Sequence, residues 1–503
     1  MSAEQPLPRS WTETTLDSLL HRIEAGLNVK CEERPPNLGE KGLVKISAVT
    51  WGQFDELQSK TLPASETPVP SNRIQPGDLL ISRANTIELV GSSVIVKELQ
   101  RELYLSDKVL RLVVHEPSKR WINYALKTPA LRKAIEDGSS GNQLSMRNIS
   151  QEKLKALPLP LAPEAEQKRI ADKLDTVLTR VDAVNTRLAR VAPLLKRFRQ
   201  SVLAAATSGR LTEDWRISSN LDDSSTSERV AEILFKRKEM WNGRGKYTLP
   251  FAAADVSSAA FLDIPKSWIR GTLDQVAWSV KDGPHFSPEY TSQGIPFISG
   301  RNIRPGKIDL SNAKFISNEL HAELSQRCKP SYGDVLYTKG GTTGIAAVNT
   351  LSADFNVWVH VAVLKLLPPA FVDPFFVQHA LNSPACYEQS QLYTHGVGNQ
   401  DLGLTRMIKI ILPIPPVQEQ TEIVRRVETL FAFADRLEAR LAQAQTAATR
   451  LTPALLAKAF RGELVPQDPN DEPAADLLRR LQAERATAPK ASAGRVRKAV
   501  VQG

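Results

Sequence analysis

Two stretches of this chain carry apolar residues in alternating steps of four and three, the spacing that lines one stripe of an α-helix against a partner helix. The first runs through Ile170, Leu174, Val177, Val181, Val184, Leu188, Val191, Leu195, Phe198 and Val202. The second keeps the same phase with smaller residues, through Ile423, Val427, Leu430, Ala434, Leu437, Leu441, Ala444, Ala448, Leu451 and Leu455. Each predicts a long amphipathic helix. Gly209 and Gly462 are placed to accept a left-handed C-terminal cap, and Pro193 and Pro453 predict a kink or a division. Equal length and phase favour pairing of the two stripes with each other over packing on their own domains or on a second copy. A pseudo-twofold relation would make that pairing antiparallel.

The rest of the chain is duplicated as well, at an offset of about 255 residues. Leu7-Pro8-Arg9-Ser10-Trp11 returns as Ile264-Pro265-Lys266-Ser267-Trp268, and Gly77-Asp78-Leu79-Leu80 as Gly333-Asp334-Val335-Leu336. Ala125 to Ala130 returns as Ala380 to Ala385, Leu157 to Pro160 as Leu412 to Pro415, and Glu166-Gln167 as Glu419-Gln420. Before each helix, alternating or β-branched runs predict strands at Gly42 to Val49, Asp78 to Arg83, Ile295 to Ser299, Asp334 to Lys339 and Val357 to Leu364. Helical stretches follow near Trp121 to Ile135 and Pro374 to Gln391. The fold class is α+β: two duplicated α+β domains separated by two long helices forming an antiparallel coiled coil. The divisions are 1–160, helix 161–210, a linker with a short helix at 211–262, 263–415, helix 416–463, and a docking helix with a basic disordered tail at 464–503. Ala231-Glu232-Ile233-Leu234 echoes Ala475-Asp476-Leu477-Leu478, which marks a short helix after each long one.

A formal charge of +10 and a pI near 9.4 suit a nucleic-acid partner, although the tail contributes part of the excess. No apolar run approaches the about 18 residues of a membrane span. The N-terminus lacks a basic region followed by an apolar one, so the expected compartment is the cytoplasm, without membrane contact. Cys31, Cys328 and Cys386 are scattered, which argues against a disulfide framework or a zinc site.

Catalytic motifs are missing. Gly340-Gly341-Thr342-Thr343-Gly344 has neither the lysine nor the spacing of a phosphate-binding loop. Asp373-Pro374-Phe375-Phe376 resembles the catalytic turn of amino-group DNA methyltransferases but lacks its second proline. Asp as helix cap and Pro in the first turn explain it structurally. No metal ligands are expected among the histidines.

Polar loops recur at corresponding places in the two halves. Arg83 and Asn85 follow one strand, Lys339, Thr342 and Thr343 its repeat. Before the Pro-rich boundaries come Asn142, Gln143 and Arg147 in one half and Asn399 and Gln400, with Arg406 beyond, in the other. Small residues admit a phosphate closely, Arg and Lys pair with guanine edges, and Asn and Gln with adenine edges. For any one of these residues an ordinary surface turn is an equal reading; it is the recurrence of the loops as sets that points to DNA.

With these features in place, the sequence resembles the specificity subunits of type I restriction-modification systems, in their enterobacterial A-type subgroup, over essentially its whole length. The resemblance is carried by Glu166 to Asp175, Leu195 to Leu203, Gly209 to Thr212, Glu422 to Glu428 and Leu456 to Leu464. It implies a non-catalytic subunit that binds a bipartite double-stranded DNA target and no cofactor of its own. Two modification (methyltransferase) subunits would methylate adenine with S-adenosyl methionine, and restriction (motor-nuclease) subunits would cleave with ATP and Mg. The alternative is a two-repeat coiled-coil DNA-binding scaffold or regulator outside restriction.

Overall fold

A computed structural model describes residues 6–143, 146–219, 225–241, 247–396 and 400–487, without the side chains of 142 and 143. The chain forms two compact units, residues 1–188 with 443–503, and residues 189–442.

In the first unit an antiparallel sheet has the strand order Leu20–Glu24, Val109–Val114, Leu79–Ser82, Ser93–Ile95. A second sheet places Lys41–Val44 between Ser59–Thr61 and Glu102–Tyr104, the latter pairing parallel. The second unit repeats both. Its order is Ala277–Asp282, Val361–Leu366, Val335–Thr338, Ala346–Val348, with Ile295–Ile298 between Lys314–Ile316 and the parallel Asn356–Val357. In each unit a two-stranded ribbon ties the domain's start to its Pro-rich end, Thr12–Thr15 with Pro158–Leu161 and Ile269–Thr272 with Ile411–Ile414. A ribbon strand has one free edge, which is where proline is tolerated.

The structure corrects four local expectations. The strand expected over 357–364 is two, Asn356–Val357 and Val361–Leu366, in different sheets. The strand expected over 42–49 ends at Val44, and Ser47–Thr50 is a helical turn that buries Ala48 and Val49. Each of the two helical stretches divides at a proline, into Lys119–Ala125 and Pro129–Gly138, and into Pro374–Leu381 and Pro384–Leu392. Thr128 and Ser383 cap the second members by accepting from Leu131 N and Cys386 N, so the Thr-Pro and Ser-Pro pairs start helices instead of continuing them. Asp373 caps its helix as its sequence suggests, accepting from Phe375 N at 2.8 Å and Phe376 N at 3.3 Å.

The long helices are Glu164–Thr207 and Val417–Ala459. Neither is divided at its proline, because a proline forfeits a single backbone hydrogen bond and the flanking turns are held by packing. Gly209 and Gly462 have φ of +80° and +75°, the left-handed conformation that a side chain resists. In the first unit, Ile170 and Leu174 share a core with Leu456, Ala459 and Phe460. In the second, Val202, Leu203 and Ala206 share one with Ile423 and Val427. Within each unit the start of one helix therefore meets the end of the other, which is antiparallel pairing. Seam residues Val181, Leu195 and Leu441 are also buried, and Leu188, Leu437 and Leu455 are half-buried. Val184 and Leu451 are exposed, as a seam with one partner helix leaves flanks open.

The short helices Thr226–Trp241 and Ala474–Thr487 turn their apolar faces inward, each on its own unit. Ile233 joins the second core, and Ala474, Leu477 and Leu481 the first. Residues of the expected basic tail beyond 487 lie outside the described residues. Among the described residues no helix is long and apolar enough to cross a membrane.

Candidate nucleic-acid interface

The duplicated motifs build a frame first. Trp11 donates its indole N–H to Glu166 at 2.9 Å, and Trp268 donates to Glu419 at 2.8 Å, both carboxylates being fully buried. Gln167 and Gln420, next in sequence, donate to the carbonyls of Ala162 and Pro415 and lock the turn into each long helix. The Gly-Asp repeats are turns as well. Gly77 and Gly333 have φ of +92° and +86°, while Asp78 and Asp334 accept from Gln75 N and Ser331 N.

On this frame the loops singled out in sequence come together in pairs. In the first unit, Ala84–Asn85 pairs with Met146–Asn148, which also pairs with Ser140–Gln143. Arg83 is exposed, and its side chain has no partner among the described residues. Asn85 turns inward, donating to Thr50 Oγ1 at 3.1 Å and accepting from Thr86 N at 2.9 Å. Arg147 folds onto its own loop, donating to Ser139 Oγ and to the carbonyls of Gly141 and Ser139. Asn142 and Gln143 lie on the Ser140–Gln143 strand, and their side chains fall outside the described residues.

In the second unit Gly340 forms a bridge with Asp401, and Gly341 N donates to Gln400 O at 3.1 Å. Thr342 and Gln400 are exposed. Thr343 is buried and accepts from Gln391 and Thr394. Asn399 lies outside the described residues. Arg406, like Arg147, braces its loop, donating to the carbonyls of Tyr393 and Asp401. Lys339 is buried, with its ammonium 3.1 Å from Asp401 Oδ1, 3.4 Å from Asp282 Oδ2 and 3.2 Å from the carbonyl of Val359. Burial and that ammonium hold the neighbouring His360 below its ordinary pKa, so its imidazole is neutral near pH 7.

Two further residues beside these loops carry no sequence motif. Trp51 is 73 % exposed, directly after the turn whose Thr50 accepts from Asn85. Arg301 is exposed on the turn Gly300–Asn302, and a Cβ on Gly300 would stand 3.4 Å from the carbonyl of Gly340. The signal for both was positional, the end of the strands Lys41–Val44 and Ile295–Ile298. Burial pushes the thiols of Cys328 and Cys386 up to about 11 and about 12, which makes them inert core residues.

Residues 265–445 match the family described as the type I restriction modification DNA specificity domain. The chain is 29% identical over 491 residues to the type I restriction enzyme EcoBI specificity subunit of Escherichia coli, covering 95% of this chain and 93% of that protein. It is 31% identical to the EcoDI specificity subunit of Escherichia coli over 349 residues, 66% of this chain and 68% of that protein. Its fold is similar to that of a chain solved in work on complex assembly and conformational transition of the type I R-M system. There the TM-score is 0.57 at 16% identity, covering 92% of this chain and 100% of that one. With two duplicated α+β units, two long helices and this similarity over nearly its full length, the chain belongs to the DNA specificity subunits of type I restriction enzymes.

Proposed function

We propose that each unit reads one half of a bipartite duplex DNA target through its paired loops, and that the two long helices fix the distance between the half-sites. The observation that carries this reading is the repeated convergence of two polar loops at the same edge of a repeated fold, in one unit through Arg147 opposite Asn85 and in the other through Gly340 opposite Asp401. As a specificity subunit the chain is a non-catalytic part of its enzyme. Adenine methylation falls to two modification subunits using S-adenosyl methionine, and cleavage to motor-nuclease subunits using ATP and Mg, in the cytoplasm. Helices of 44 and 43 residues are each about 65 Å long at ~1.5 Å per residue, about two turns of B-DNA.

Base-resolved mapping of adenine methylation in the host, with and without this gene, tests the assignment. The expected result is one split sequence that is methylated only when the gene is present. Adenine methylation at the same sites without the gene would reject the reading.

A further inference from the structure

The two repeats share one backbone frame but exchange roles on it. Gly26 and Gly283 are equivalent: a Cβ on either would fall 1.7 Å from Leu105 O or 1.8 Å from Val357 O, so no side chain fits. Arg83 and Lys339 are equivalent too, since their backbone N–H groups donate to the carbonyls of Lys108 and His360 at the matching point of each sheet. Ahead of the matched glycines stand Ala25 in the first unit and Asp282 in the second. Asp282 is buried and lies within ion-pair distance of Lys339. The first unit has alanine at that position, and Arg83 reaches solvent.

Lys339 cannot leave its site cheaply. Its donors face two carboxylates and a carbonyl, and withdrawing the ammonium would leave the buried Asp282 with only the more exposed Arg327, 3.1 Å away, and His285, 3.2 Å away. What it does instead is join four segments: the end of Ala277–Asp282, the end of its own strand, the Val359 turn and the loop holding Asp401. The neighbouring turn shows the reverse pattern. At the end of Ile295–Ile298 Arg301 is exposed and its side chain is without a partner among the described residues, whereas at the matching turn of the first unit Ser47 is half-buried and donates to Gln58 at 2.8 Å. Each unit therefore presents an open guanidinium beside its paired loops, from two adjacent positions of the same frame.

We propose that Arg301 is a specificity-determining residue of the second unit, doing there what Arg83 does in the first, and that Lys339 is a positioning residue beneath it. This rests on the two-reader function above. A guanidinium can hold both acceptors of a guanine edge, and an ammonium cannot reproduce that planar fork.

The test uses the assembled complex of this chain with its modification subunits, and duplexes carrying the sequence it methylates or that sequence with one half-site scrambled. Arg301→Ala is expected to lower affinity about tenfold or more for the intact target and to relax one position of the second half-site, leaving the first unchanged. Arg301→Lys should not restore discrimination at that position. Lys339→Met should weaken reading of the second half-site without changing the slope of affinity against salt, whereas losing a phosphate contact lowers that slope by about one. Lys339→Met with Asp282→Asn should recover part of the loss, because the buried carboxylate is then no longer left with one cation fewer, and the asparagine amide can still accept from Arg327. Unchanged discrimination in Arg301→Ala, or a shallower salt slope in Lys339→Met, overturns the proposal while leaving the two-reader function standing. If the unaltered complex prefers no sequence at all, the function itself is wrong and this inference falls with it.

Discussion

Glu166 and Glu419 occupy the same first turn of two matched helices, and each accepts an indole N–H from the matched tryptophan. Their remaining partners differ. Glu419 is paired with Arg216 and accepts from Thr212 at 2.8 Å. Glu166 accepts from the neutral amide of Gln467, and burial lifts its pKa above the ordinary carboxylate range. The reading loops differ in the same manner, with Arg83 open where Lys339 is enclosed. After duplication the backbone frame kept its shape, and the charges placed on it diverged. That division suits a reader of two different half-sites, because the frame sets position and the exposed tips set sequence.

The largest effect should come from unbalancing the second anchor. Glu419→Gln leaves the Arg216 guanidinium without its carboxylate and should destabilise the second unit by about 3 kcal/mol, read as a lowered melting temperature. Next is Arg83→Ala, which should weaken binding by about 1 to 3 kcal/mol and relax one position of the first half-site if the contact is to a base. Loss for all sequences alike, with a shallower salt dependence, would assign the contact to a phosphate. Asn85→Ala removes the hydrogen bond to Thr50 and should cost about 1 kcal/mol of stability, a smaller and sequence-independent effect, because the amide is spent on the neighbouring Ser47–Thr50 turn.

Glu166→Gln should change stability least, by under about 1 kcal/mol near neutral pH, since a glutamine oxygen still accepts from Trp11. Its signature is in pH dependence. A raised pKa in the folded state means that, between the unfolded and folded values, the native chain holds more proton than the unfolded one. Stability should therefore fall as pH rises through that window, and the glutamine variant should flatten the fall. A melting profile that falls as steeply with glutamine in place would contradict the role given to burial.

The duplication, the helical seam and the recurrence of polar loops were legible because they are written in sequence spacing, whereas the pairing of Arg147 with Asn85 and of Gly340 with Asp401 comes from the fold. Ile170 and Leu174 are buried because of their phase, and Gly209 caps because no Cβ hinders it. The state of Lys339 was not legible by the same means. Its burial depends on Asp282 and Asp401, which are distant in sequence, and a lysine after a strand looks the same whether open or enclosed. Aligning the halves on Gly26 and Gly283 would have shown Ala25 opposite Asp282, the one clue available. The anchors had a similar fate: both the tryptophan and the glutamate motifs were visible as repeats, but only the fold brings Trp11 to Glu166. Nor does spacing show that the fork of Arg147 is taken up by the carbonyls of its own loop.

The central claim is that two independent readers share one frame, and exchanging one of them tests it most directly. Residues 1–157 are replaced by the corresponding segment of another type I specificity subunit with a different target, and adenine methylation is mapped base by base in cells carrying the hybrid. The account predicts that one half of the methylated sequence changes to that of the donor, while the other half and the spacing between them stay as they were. A change in both halves, or in the spacing, would contradict it.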